Sequence, residues 1–182
     1  MKLTDLAIVA EAFFICLLVV VHIRGNILHN STMNRIMYNN VMDNVTEDAL
    51  SVGYKGVDIN GCPTVDVDLI SSLFKSEAEL FYNSSNHVLC YVDFDGFRVC
   101  ASYYGYIWSE KVYYDNKGDT PHENKVLQIV NYMKDNYGIN LSLPLNNGEK
   151  WSNSIDDYTF FSISYNKSME VYCFSGAKIH KK

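Results

Sequence analysis

The segment that most constrains this chain is its opening, LTDLAIVAEAFFICLLVVVHIRG at residues 3–25. From Leu6 to Ile23 it runs eighteen residues with only Glu11 and His22 departing from apolar character. A helix rising 1.5 Å per residue needs ~20 such residues to cross ~30 Å of hydrocarbon. A secretory signal closes its apolar core with small residues around a cleavage site. Here the core runs instead into VVVHIRGNILHN, so an uncleaved signal anchor is expected. Glu11 stands out because a carboxyl inside a membrane span is costly and marks a function by default. Two readings stand beside each other: a buried partner for a positive group on a neighbouring subunit, or a carboxyl near the membrane surface or simply neutral.

The apolar pattern continues past the run. Ile27, Met33, Ile36, Met37, Val41, Val45, Ala49 and Leu50 recur at the three-and-four spacing of one helical face, with Asn, Arg and Asp opposite. No proline interrupts them, and Gly53 is a natural stop. Residues 5–51 therefore read as one helix of roughly 70 Å, first lipid-facing and then amphipathic. Its packing seam is expected at Ile27, Ile36, Val41 and Val45. Residues 1–51 form the anchor and stalk, and residues 52–182 the head.

Within the head, VDVDLISSLFKSEAELFY places Leu69, Ile70, Leu73, Phe74, Leu80 and Phe81 at helical spacing behind Asp66 and Asp68, where the helix dipole favours acids. Stretches 87–93, 97–104 and 107–114 are dense in Val, Tyr, Cys and Phe and are separated by Asp-Gly and Gly turns, which is strand texture. TPHENKVLQIVNYMKDNYG offers Thr120 as N-cap, Pro121 in the first turn, Glu123 to complete a capping box and Gly138 as the stop. Its expected buried face is Val126, Ile129, Val130, Met133 and Tyr137. Strands at 158–165 and 170–179 follow an Asn-Gly-rich loop at 146–154. The fold class is α+β: a long amino-terminal helix, then a head with an antiparallel sheet and two helices.

Charge excludes one class of partner. Fifteen basic against 21 acidic residues give a net charge of −6, and the only basic grouping is the terminal KIHKK. Nucleic-acid binding needs clustered Lys and Arg, so no nucleic-acid partner is expected. The acidic pairs Asp66/Asp68 and Asp93/Asp95, like Asp156/Asp157, fall short of the six to eight oxygens of a Ca²⁺ loop and read as caps and turns, so no metal is expected. A Gly-rich phosphate loop, a G-x-S-x-G elbow and an H-E-x-x-H pair are all missing, as is any local motif joining Cys173 to His87 or His122. Neither an enzyme nor a cofactor is expected. Five N-x-S/T sites (Asn30, Asn44, Asn83, Asn140, Asn166) arise readily in so Asn-rich a chain.

Four cysteines, Cys62, Cys90, Cys100 and Cys173, lie in the head, a number that permits disulfides in an oxidising compartment but equally suits buried thiols. A three-residue hairpin loop Phe94-Asp95-Gly96, with Gly96 left-handed, would set Cys90 opposite Cys100 at a Cβ separation near ~5 Å, where a bridge is feasible. A two-residue Asp-Gly turn would shift the register and remove that pairing.

The opening as a whole resembles the type IV pilin superfamily, and most closely the minor pseudopilins of tight-adherence systems. In LAIVAEAF, counting from Ala7 puts Glu11 fifth, with Phe13 two residues on. Leu6 stands where the family has a glycine before its processing site, and Ala12 follows Glu11 where the family usually has an aromatic. The resemblance covers residues 1–51. It implies a structural subunit of an extracellular filament or its assembly machine, partnered by other pilin-like subunits or by itself through the amino-terminal helix. Glu11 would neutralise an amine on a neighbour, and the head would lie outside a membrane crossed once. The competing expectation is a membrane-tethered extracytoplasmic binding or sensing domain, for which the helix is a stalk and a pocket in the head does the work.

Overall fold

The computed structural model describes residues 3–82, 85–115, 121–139 and 155–179 of the chain, with side chains described from residue 14 onward and, in the third segment, from residue 125. Thr120 and the side chain of Glu123, which the capping box requires, lie outside the described residues, as does the loop expected at 146–154. Among the described residues the chain is α+β, as its pattern predicts. A first helix, α1 (Leu3–Gly53), is followed by a short antiparallel pair, β1 (Tyr54–Val57) and β2 (Pro63–Val65). Next come α2 (Val67–Tyr82), β3 (Ser85–Val92), β4 (Gly96–Ala101), β5 (Val112–Tyr113), α3 (Pro121–Tyr137), β6 (Thr159–Asn166) and β7 (Val171–Lys178). The five longer-range strands make one antiparallel sheet in the order β5-β4-β3-β6-β7.

By compactness the chain divides into Met1–Tyr38 and Asn39–Lys182, so the second unit takes in the last fifteen residues of α1 as well as the head expected from residue 52. In the first unit every described side chain from Phe14 to Met37 is exposed. In the second, Met42, Val45, Thr46, Ala49 and Leu50 are buried at helical spacing. The sheet is covered on both sides. Alternate residues of a strand face opposite ways, so Val88, Cys90 and Val92 join Phe97, Val99, Ala101 and Phe161 on one face, where Val126, Ile129 and Met133 of α3 close over them. On the other face, Phe74 of α2 stacks edge-on against His87 (5.3 Å) and Phe160 (6.2 Å), and Thr46 of α1 meets Ser162 of β6. Burying these apolar side chains is the main stabilising term, about 1.5–3 kcal/mol for each large one.

Local chemistry explains most helix ends. The Asp66 carboxylate accepts the Leu69 N–H at 3.0 Å, an N-cap on α2. Gly138 adopts φ 67° and its N–H bonds the Lys134 carbonyl at 3.0 Å, the left-handed stop of α3. Gly53, the last residue of α1, is a glycine for a packing reason: a Cβ there would come 2.2 Å from Cγ1 of the fully buried Ile70.

Several expectations need correction. The β3–β4 register pairs Val92 with Phe97, Cys90 with Val99, and Leu89 with Cys100. Cys90 and Cys100 therefore sit on opposite faces of the sheet, and both are free and buried. The turn residues are Phe94 and Asp95. Gly96 belongs to β4, because a Cβ on it would stand 2.4 Å from the Val112 carbonyl oxygen of β5. The glycine is required by a neighbouring backbone and not by a left-handed turn. The strand expected to 104 ends at Ala101, where a 3₁₀ turn (Ser102–Tyr104) and left-handed Gly105 and Tyr106 reverse the chain. Ser109 then returns to bond Val99 through both backbone and hydroxyl, which leaves β5 only two residues. On α2 the buried stripe is Ile70, Phe74 and Ala78, while Leu80 and Phe81 are 80% and 60% exposed.

Candidate functional site

Two features of this structure are candidates for function: the exposed half of α1, and the polar groups gathered in and under the sheet. On α1, the backbone of Glu11 is helical and its side chain lies outside the described residues. The stretch from Phe14 to Gly53 contains a window long and apolar enough to cross a membrane, and none of that window is buried. Polar side chains along the exposed half close on the helix itself. Asn26 Nδ2 lies 3.1 Å from His22 Nε2 one turn earlier, and Thr32 Oγ1 donates to the Leu28 carbonyl at 2.9 Å. Such local bonds lower the cost of placing these groups in an apolar medium.

The expected seam does not behave as one surface. Ile27 and Ile36 are 62% and 49% exposed, Val41 is half-buried, and Val45 is buried in the second unit. The three-and-four spacing is continuous, but its first part is open and its last part is already occupied.

Beneath the sheet runs a layer of buried hydroxyls. Thr46 Oγ1 and Ser162 Oγ lie 2.9 Å apart, His87 Nδ1 and Ser164 Oγ 2.7 Å apart, and Cys173 Sγ and Ser175 Oγ 3.4 Å apart. Burial alone drives the His87 pKa down to about 4, so the ring is neutral at neutral pH. The His87–Ser164 pair resembles a nucleophile and its base, yet Ser164 is fully buried and His87 is 2% exposed. His87 lines a cavity of about 250 Å³ together with Ser102 and Tyr103, whereas Ser164 does not reach it. Burial also raises the thiol pKa values of Cys173, to about 11, and of Cys90 and Cys100, which keeps all three protonated and unreactive. No cluster of three or more His, Cys, Asp or Glu fit to hold a metal occurs among the described residues.

A more open arrangement lies at the β3–β4 turn. Lys111 donates to Asp93 at 2.7 Å and pairs with Asp95, and its ammonium also lies over the rings of Phe94 and Tyr113. Hydrogen bonds and charge from Asp93 and Asp95 outweigh its partial burial and raise the Lys111 pKa. Beside this knot is a cleft of about 330 Å³ between the β1–β2 pair and the β3–β4 hairpin. Arg98, which lines it, was not singled out by sequence reasoning, although it is the one charged residue in the strand GFRVCA. His87 was named only as a conceivable partner of Cys173; its observed partners Phe74 and Ser164 lie far away in the chain.

No family model, no curated protein and no solved structure matches this chain.

Proposed function

We propose that this chain is a single-pass, pilin-like structural subunit, anchored by the first half of α1 and built to pack that helix against helices of other subunits. The observation that carries the reading is the division of one uninterrupted helix into two parts. Residues 14–37 leave every described side chain exposed, whereas Met42, Val45, Thr46, Ala49 and Leu50 are buried within the α+β unit. An apolar helical face left open over so many residues needs lipid or other helices to cover it. The amphipathic part that follows has its partner within the α+β unit. Glu11 supplies the buried polar group that sets helix register in the assembly, the best-attested use of such residues. The net charge of −6 and the resemblance of residues 1–51 to pilins support a head on the extracytoplasmic side of the cell membrane.

The test is in-cell crosslinking with single cysteines at positions 8–10, 12–15, 27 and 36, and at Val45 as a control, after replacing Cys16 and Cys62. Ladders from positions 8–10, 12–15, 27 and 36 that need Glu11, with none from position 45, are expected. A membrane protein that stays monomeric at every position, or ladders unchanged in Glu11→Ala, overturns the proposal. The second reading, a tethered binding domain, is favoured by the cleft beside Lys111 and gains weight from that monomeric outcome.

A further inference from the structure

We propose that the cavity between the carboxyl end of α2, the start of β3 and the 3₁₀ turn after β4 binds an uncharged pyranose unit of a carbohydrate. The cavity holds about 250 Å³, and among the described residues no aliphatic side chain lines it. Gaps left by imperfect packing are apolar and stay dry, whereas a roomy polar one holds hydrogen-bonding occupants. Its size falls just below the ~300–1,000 Å³ of common ligand sites, which limits an organic occupant to about one ring. Tyr82 of α2, Tyr103 of the 3₁₀ turn and Tyr106 beyond it contribute to the walls, and aromatic rings take the C–H faces of a pyranose.

Tyr106 carries the inference. It adopts φ 59° directly after left-handed Gly105, with its N–H bonded to the Ala101 carbonyl at 3.0 Å. A bulky residue takes that conformation at a cost and a glycine takes it freely, so reversing the chain does not require a tyrosine. Strain of this kind concentrates where a side chain is aimed at a ligand. The Lys75 ammonium lies over the Tyr106 ring, 5.9 Å from its centre, and ties it to α2.

The polar groups suit hydroxyls and not an ion. Among the described residues Lys75 and Glu79, one turn apart on α2, are the charged side chains lining the cavity, and their charges cancel. His87 adds no charge, since burial keeps its ring neutral. Its Nδ1 is taken by Ser164, which leaves Nε2 as the polar atom the ring can offer. Ser102 Oγ accepts the His87 N–H at 2.9 Å and keeps its own proton to donate. Asn86 brings an amide that both donates and accepts. Sugar hydroxyls also do both, so this mixture matches them better than it matches an anion that only accepts. The Tyr103 hydroxyl donates to the Tyr137 carbonyl at 3.2 Å, so Tyr103 contributes its ring. The cavity belongs to the second unit, and the inference stands whether or not α1 assembles.

The full chain in lauryldimethylamine oxide micelles, which carry no sugar, is mixed in turn with the methyl glycosides of glucose, galactose and mannose, and saturation-transfer difference NMR is recorded. At least one glycoside is expected to give a saturable signal, strongest at its ring C–H protons. Tyr106→Gly should weaken binding by about three- to tenfold, the loss of one aromatic contact, without lowering Tm, because glycine is unstrained at φ 59°. Glu79→Gln, at an exposed position, should weaken it by about the same factor, as a charge-assisted hydrogen bond becomes a neutral one. The proposal is overturned if no glycoside gives a saturable signal, if cyclohexanol at equal concentration gives as strong a one, or if either variant binds like the parent chain. A Tyr106→Gly chain whose Tm falls together with its binding assigns Tyr106 to the fold and overturns it as well.

Discussion

Removing the Thr46 hydroxyl tests whether the second half of α1 truly docks on the sheet. Thr46 and Ser162 are fully buried, 116 positions apart in sequence, and joined by a 2.9 Å hydrogen bond. Thr46→Val keeps the shape and strands the Ser162 hydroxyl, which should cost about 1–3 kcal/mol. Ser162→Ala should cost less, about 0.5–1.5 kcal/mol, because a helical threonine can turn its hydroxyl to the carbonyl one turn back. In the double variant both polar groups are gone, so it should be no worse than Thr46→Val alone. The implied coupling is at least the Ser162→Ala cost, about 0.5–1.5 kcal/mol, against the ~0.5 kcal/mol within which distant sites add. The assay is urea unfolding of the full chain in detergent, followed by tryptophan fluorescence. Trp108 reports on the head because its indole N–H bonds the Val67 carbonyl at 2.8 Å. A Thr46→Val cost below ~0.5 kcal/mol with additive behaviour in the double variant would refute the docking of residues 42–50 on β6.

Three further outcomes are expected. His87 has a folded pKa of about 4 against an ordinary 6.5, so the folded state prefers the neutral ring, and the stability this contributes is full above pH 6.5 and lost as pH falls toward 4. The loss is on the order of 3 kcal/mol; His87→Asn should flatten that part of a Tm-against-pH curve, and a parallel curve would sink the assignment. Gly96→Ala forces a Cβ to 2.4 Å from the Val112 carbonyl oxygen and should cost about 1–3 kcal/mol while freeing β5. Hydrogen exchange across residues 110–114 reads that release, and unchanged protection counts against the close approach. Native alkylation should reach Cys62 and spare the buried Cys90, Cys100 and Cys173; a Cys90–Cys100 crosslinked peptide recovered from folded protein would contradict the register.

What the sequence determined by itself is whatever short-range chemistry decides. An eighteen-residue apolar run and an unbroken three-and-four pattern dictate a long helix, which runs from Leu3 to Gly53. Asp66 before α2 and Gly138 after α3 mark helix ends because caps act within one turn. The Val126, Ile129 and Met133 face was equally legible, since amphipathic spacing names the buried side without naming its partner. The tertiary structure alone decided the rest. The same apolar spacing on α1 reads identically at Ile36 and Val45, yet only Val45 meets a surface within its own unit. The β3–β4 register followed from the contact of Gly96 with Val112, a residue sixteen positions on, and one step of register moved Cys100 to the far face from Cys90. Arg98 and Tyr91 came to line one cleft only when that register placed them opposite each other and β2 lay beside them. Helix and cap signals survive in one sequence because their energies are local, whereas register and pocket lining depend on which surfaces meet.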